Sequence, residues 1–498
     1  MSRFTRRQLV QGLSGAAAAA LGAPLLASRR ASAVDPPAKP PRHLIVLAAA
    51  GGGSLIDAAL AIRASESPNA GRLNTFEDSR VTQVAGSPIR AVDVSGSSAG
   101  QIPYAFSANQ SSFVKKHHRD MMVVTVTGTS VNHAVAQRRS ITGNEAWNGR
   151  TLQEAVAAEY GAARPLPNVN MGVQGFVERG NDKNLPAWAY HEPVADAVRW
   201  PVSLDSSKGL RELPARELIE KARDVRQKLD DESAFGRTYA RSRRLALWDE
   251  QRGTKRQAIE AQDLIRKLMF LPESPNVPLN AFGLSESAEA GKVRERFPKF
   301  ATDPLQAQAA LTFLLIKYQV TVSVTISPSF SAILDGAPPN GTLTNPPLAF
   351  DYSHNAHRPA QAIMWDRIYK TADGLIDLLK GEPAEEGSSE SLWDRSMIYV
   401  ATEFGREKHR PSGSEDFGTG HHLNNGYLLI SPLVNGDKVL GGVDPATGLT
   451  YGFDPTSGEP DPNRTMAEKE IFSGILHALG VDTTGANLPD LRPMRKSA

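Results

Sequence analysis

The chain has 498 residues, of which 22% are charged and 40% belong to the hydrophobic set, so it can bury a sizeable core and is not disordered throughout. Lysine and arginine total 56 against 54 aspartates and glutamates, which excludes a strongly basic nucleic-acid surface as its main theme. The absence of cysteine excludes disulfides, thiolate metal sites, iron–sulfur ligation and a cysteine nucleophile.

Arg6-Arg7 stands directly before an uncharged, Ala- and Gly-rich run from Leu9 to Leu26, and Ala31-Ser32-Ala33 follows as a small-residue cleavage site. Residues 1–33 therefore read as a twin-arginine export signal cut before Val34, with the twin-arginine translocase as partner and a periplasmic or secreted destination. The run is too short and too weakly hydrophobic for a stable transmembrane anchor, and no other stretch approaches the ~20 apolar residues of a spanning helix. Residues 34–42 form a Pro-rich linker.

From His43 to Leu47 a short apolar run predicts a buried strand that enters a tight turn at Gly51-Gly52-Gly53. The dinucleotide fingerprint fails there, because Ile56 stands where a third glycine is needed, but Ser54 or Asp57 can still face a site. Gly96-Ser97-Ser98-Ala99-Gly100 matches a nucleophile elbow in letters only; Pro103 interrupts the helix that should follow, so it reads as a surface turn. Met121 to Val126 predicts a second strand, followed by Thr129, Ser130, Asn132 and His133. Dense alternating charge between about Leu210 and Leu271 predicts solvated helices, within an insertion at about 205–300 that should project from the main domain. Further on come a helix from Leu311 to Tyr318, strands at Val320–Ile326, Ser396–Ala401 and Tyr427–Ile430, and helices over Arg358–Leu379 and Ala467–Leu479.

This alternation predicts one α/β domain over 43–490, with a mainly parallel central sheet flanked by helices. In such sheets ligands bind at the carboxyl ends of the strands. Candidates there are Asp351 with His354 and His357, Glu403 with Arg406, and the adjacent His421 and His422 in a glycine-rich loop. Carboxylates and imidazoles converging on one edge suit zinc or manganese, which could activate water or a hydroxyl toward a phosphate or sulfate ester. Only one of His421 and His422 can face inward, because neighbours in an extended segment point opposite ways. Arg406 would sit beside the pocket as an anion clamp. The bland alternative has Glu403 paired to Arg406 and the histidines hydrogen-bonded to backbone, with no ion.

Asn132-His133-Ala134-Val135-Ala136-Gln137, Trp147-Asn148-Gly149-Arg150, Phe350-Asp351 with His354, Thr402-Glu403-Phe404-Gly405-Arg406 and Gly420-His421-His422 occur in that order behind the twin-arginine signal. The set resembles the exported bacterial family of domains of unknown function numbered 1501. The resemblance covers roughly Arg42 to Pro489 and implies an alkaline-phosphatase-like fold of the phosphatase and sulfatase superfamily. It further implies metal ligation by Asp351 and His354, by Glu403, and by His421 or His422, with Ser130 or Thr129 as nucleophile by position. The chain departs from the pattern in three places. The first strand ends in Ala48-Ala49-Ala50 without a carboxylate, Ser54-Leu55 follows the glycines, and Phe404 replaces a histidine. One ligand set is thus incomplete, which implies a single divalent metal (zinc, manganese or calcium) or none. The expected function is a metal-dependent hydrolase of a small anionic phosphate or sulfate ester; the alternative is a non-catalytic protein that binds or assembles an envelope component. Neither expectation involves nucleic acid.

Overall fold

A computed structural model describes residues 39–94, 108–203, 216–247, 249, 264–282, 284–328, 349–411, 414 and 417–496. The expected signal peptide, residues 34–38 of the linker, the Gly96–Gly100 segment and parts of the insertion lie outside the described residues. Eight strands form the central sheet: β1 (His43–Ala49), β2 (Met121–Thr127), β3 (Asn168–Met171), β4 (Glu192–Pro193), β5 (Ser323–Ile326), β6 (Ser396–Thr402), β7 (Asn424–Ile430) and β8 (Lys438–Leu440). Their spatial order is β8-β2-β7-β6-β1-β5-β3-β4. Strand β7 is antiparallel to both β2 and β6, and every other neighbouring pair is parallel. The mainly parallel α/β class expected from the alternation of elements is therefore the observed one.

β1 is buried along its whole length, as a central parallel strand must be when both sheet faces are covered. Its side chains alternate between two cores. Ile45, Leu47 and Ala49 join one with helices α4 (Pro304–Lys317) and α5 (His357–Lys380). Leu44, Val46 and Ala48 join the other with helices α1 (His133–Thr142), α2 (Leu152–Tyr160) and α6 (Glu468–Ala478). The result is three layers, helix–sheet–helix. Trp365 of α5 ties two of them: it is fully buried and its indole Nε1 donates to Ser54 O at 3.0 Å. Truncating it to alanine should cost about 3–5 kcal/mol.

Element boundaries differ from the sequence reading where capping and pairing outweigh local hydrophobicity. α4 begins at Pro304 rather than Leu311, because Asp303 caps it by accepting from Leu305 N at 3.0 Å and proline suits the first turn. β7 begins at Asn424 rather than Tyr427, since Asn424, Asn425 and Gly426 pair with Thr127, Val126 and Thr125 of β2. The described parts of the insertion divide into two. Helix α3 (Arg216–Glu232) carries exposed Leu218, Val225 and Leu229, whereas Leu264, Leu268, Phe270, Val293 and Phe297 belong to the main core. The second half is therefore an integral part of the domain, because its apolar residues cover the α4 and α5 layer. Among the described residues, no helix is long and apolar enough to cross a membrane.

Candidate metal centre

Direction in the sheet explains which residues meet. β1, β2 and β6 run parallel, so Gly51–Ser54, Gly128–Asn132 and Glu403 follow their carboxyl ends at one edge. β7 runs the other way, so the segment preceding it, Phe417–Leu423, arrives at that same edge. Gly51 and Gly52 have φ of +100° and +83°, and a Cβ on Gly51 would collide with the Asp351 backbone. This turn is braced from two sides. Gln361 accepts from Ser54 N at 2.9 Å and donates to Gly52 O at 3.0 Å, while Asn425 donates to Gly53 O at 2.8 Å. The backbone of Gly51 in turn donates to Glu403 Oε1.

His133, the first residue of α1, lies between two carboxylates, with Nδ1 3.0 Å from Glu403 Oε1 and Nε2 3.3 Å from Asp351 Oδ1. His354 and His421 complete the group, their Nε2 atoms 2.8 Å apart and 3.4 and 3.8 Å from Asp351 Oδ1. Arg406 lies beneath, its Nη1 3.2 Å from His354 Nε2 and its Nη2 3.0 Å from Asp351 Oδ1. A guanidinium only donates, so His354 Nε2 is a lone pair; a carbonyl only accepts, so His421 Nδ1 donates to Val131 O at 2.8 Å and its Nε2 is also a lone pair. Arg406 already donates to His354 Nε2 and to Asp351, so His421 Nε2 is the lone pair that still faces acceptors alone, a place for a proton or a cation. Ligand atoms of His133, Asp351, His354 and His421 all lie within 4.8 Å of one another. A tetrahedral ion with bonds of ~2.0–2.2 Å holds its ligands roughly 3.4 Å apart, which the separations above bracket. The donor set therefore fits one divalent cation with nitrogen and oxygen preference.

Electrostatics sort the three imidazoles. Hydrogen bonds to Asp351 and then Glu403 push His133 up to about 9. Burial opposes ionisation of Asp351, but His133 and Arg406 win and hold its carboxyl below the usual carboxylate range. His421 is pushed down to about 4 by burial and the nearby cations, and His354 is lowered by burial and Arg406. At neutral pH His354 and His421 are thus neutral, the form that ligates. Glu403 on His133 Nδ1 matches the carboxylate–imidazole pairing that fixes the tautomer of metal-binding histidines.

Behind these residues runs a buried polar chain. Asp57 Oδ2 lies 3.1 Å from His357 Nε2, and His357 Nδ1 lies 3.0 Å from Thr419 Oγ1. Asn74 Nδ2 donates to Asp57 Oδ1 at 2.8 Å, and Arg358 Nε to Asn74 Oδ1 at 3.3 Å. Thr419 N donates to Ser353 O at 2.8 Å and His357 N to Phe417 O at 2.8 Å, so the segments carrying His354 and His421 are laced together. Lys408 is also buried, donating to Asn424 O at 3.0 Å, and burial pushes it down to about 8.

Of the residues singled out in the sequence, Asp351, His354 and His421 meet directly. Glu403 supports from below through His133, its Oε2 buried without a hydrogen-bond partner. Arg406 has 0% side-chain exposure and directs its Nη atoms to Gly51 O, Asp351 and His354, so it lies under the cluster rather than beside an open pocket. His422 points away, its Nδ1 accepting from Asn424 N at 3.1 Å. Thr129 Oγ1 donates to Glu468 at 2.8 Å and accepts from Arg139, while Ser130 Oγ accepts from Asn132 N in a turn before α1. No described hydrogen bond joins either hydroxyl to the cluster. His133, noted after a strand end but given no ligand role from sequence, joins the cluster, and Asp57 and His357, each noted separately near the site, prove to be a pair. Comparison with protein-family models, curated proteins and solved structures found no match to this chain.

Proposed function

We propose that this chain is a metal-dependent hydrolase of small phosphate or sulfate esters, exported through the twin-arginine translocase. In this reading it belongs to the exported family it resembles and has that superfamily's alkaline-phosphatase-like fold. The observation that supports the reading is the meeting of His133, Asp351, His354 and His421 at the carboxyl edge, with their ligand atoms within 4.8 Å of one another. Their side chains are 19–42% exposed, so an ester reaches them from solvent, whereas Glu403 and Arg406 are sealed beneath. A divalent cation bound there would supply Lewis acidity toward an anionic ester oxygen. To hold such an ion through Nε2, His133 would release that proton to solvent and keep Nδ1–H on Glu403. Arg406 balances Asp351 and donates to the one lone pair of His354 Nε2, a bond that would have to open for that nitrogen to ligate. Thr129 is held by Glu468 and Arg139, so water is the nucleophile this arrangement favours over a hydroxyl side chain.

One observation favours a second reading, a binding or assembly protein of the envelope. Asp351 and Glu403 are already matched in charge by Arg406 and the His133 imidazolium, so the cluster is neutral without an ion. Metal analysis separates the two. A single zinc, manganese or calcium ion per chain, lost in Asp351→Ala and His421→Ala together with hydrolysis of an aryl phosphate or aryl sulfate, is expected of the hydrolase. A metal-free wild type that retains its fold overturns it in favour of the binding protein.

A further inference from the structure

The cluster takes His421 and leaves out His422, although the two are neighbours in a segment that offers little to tell them apart. Gly418-Thr419-Gly420-His421-His422 is rich in glycine and otherwise polar, the composition in which strand register is least specified. Its pairing is short, with His421 opposite Arg406 and His422 opposite Gly405. A slip of one residue would turn His422 inward and His421 out. Backbone groups do not by themselves tell one register from the next, because each residue brings the same N–H and C=O. Side chains do, and between the two glycines there is one, Thr419. It is 3% exposed, and its Oγ1 lies 3.0 Å from His357 Nδ1, whose Nε2 lies 3.1 Å from Asp57 Oδ2. The slip that brings His422 to the place of His421 carries Thr419 to the place of Gly418, where a Cβ would collide with His354 O. It also leaves Gly420 opposite His357, so Nδ1 of that buried ring loses its hydroxyl partner where water cannot replace it.

We propose that Thr419 is a positioning residue that selects His421 over His422 for the cluster. Its Cβ excludes the slipped register, and its hydroxyl holds the native one through His357. The buried pair behind it thereby gains a role: Asp57 orients His357, and His357 holds Thr419. With zinc as the probe, the proposal rests on the metal reading of the cluster. The hydrogen bond from His421 Nδ1 to Val131 O, 2.8 Å long, reports on the same choice without a metal.

Three substitutions in the full chain, each checked for its fold by circular dichroism, grade the effect. Thr419→Ser keeps both Cβ and hydroxyl and should bind zinc as the wild type does. Thr419→Val keeps the Cβ alone and should weaken zinc binding by about 10–100-fold, the loss typical when a group supporting a ligand is removed. Thr419→Gly keeps neither. In that background His422→Ala should weaken zinc binding further, because His422 has entered the cluster, whereas in the wild type it should not. The second readout is nitrogen-15 NMR of histidine-labelled, metal-free protein. In the wild type the hydrogen-bonded Nδ1 proton should vanish with His421→Ala and survive His422→Ala; in the Thr419→Gly background it should vanish with His422→Ala. A wild type that binds no zinc but shows this exchange of dependence overturns the metal reading and leaves the selection of His421 standing. A bonded proton insensitive to His422→Ala in the Thr419→Gly background overturns the proposal whatever zinc does, as does a Thr419→Ser protein that loses zinc as Thr419→Val does.

Discussion

The carboxyl edge of the sheet and helix α3 are both rich in charge, yet they are held in opposite ways. At the edge, Asp57, His357, Glu403 and Arg406 are each less than a tenth exposed, and their polar atoms bind partners tens to hundreds of residues away. On α3 the polar pairing is local, as in the ion pair of Arg226 with Asp230 and the hydrogen bond of Gln227 to Asp231, and the apolar side chains meet solvent. The same residue types thus build a rigid, over-determined corner in one place and a separable arm in the other. Burial decides which, because an unmet polar group is costly only where water cannot replace the lost partner.

Removing one member of the buried chain should produce the largest effect. Asp57→Ala leaves His357 without its carboxylate and should cost about 3–5 kcal/mol by urea denaturation. A loss below 1 kcal/mol would show that the edge is no more constrained than the arm. Lys408 gives a pH test of the same corner. Its folded pKa, about 8, lies below the ~10.4 of an unfolded lysine, so between these values the unfolded chain holds the extra proton. Stability relative to Lys408→Met should therefore rise, on the order of 3 kcal/mol, as pH climbs through that window, and be lost again as pH falls through about 8. A pH-independent difference would mean that the ammonium is hydrated.

Metal removal comes next. If the cluster binds an ion, removing it with a chelator from protein kept in free metal at about 100 times the dissociation constant should lower the unfolding free energy by about 2.7 kcal/mol. His421→Ala should abolish that difference, whereas His422→Ala, which faces away, should preserve it. The smallest effect belongs to the arm. Leu229→Ala should change stability by no more than about 0.5 kcal/mol, and hydrogen exchange should open α3 well before β1 or α5. Slow exchange throughout α3 would erase the contrast.

The layers of the fold were legible in the sequence because the strands are short, nearly pure apolar runs, Met121–Val126 and Ser396–Ala401 among them. The reversed direction of β7 was not. Asn424-Asn425-Gly426 has little strand propensity, and those residues pair because Asn425 also donates to Gly53 O, Thr402 and Phe404 O, a set of contacts only the finished fold supplies. The candidate site was legible in part for the same reason. Asp351 and His354 share one short turn and His421 follows a glycine-rich loop, so local spacing drew notice to them. The choice between His421 and His422 depends on which face of a two-residue strand turns inward, and Arg406 looked like an open clamp because its burial depends on the glycine turn above it. Asp57 and His357 were each marked by their place after a strand or a turn, but they are 300 positions apart and nothing local pairs them.

The strand order also imposes a schedule. β1, made first, lies between β5 and β6, whose residues emerge hundreds of positions later, and three of the four clustered side chains reside on segments more than 200 residues beyond His133. The four side chains cannot gather until Phe417–Leu423 has been synthesised and β7 has inserted between β2 and β6. Contacts of such long sequence separation form slowly. β1, apolar from Leu44 to Ala49, has no sheet partner until β5 and β6 have been made, so the early intermediates of this protein should be the ones that most need a chaperone.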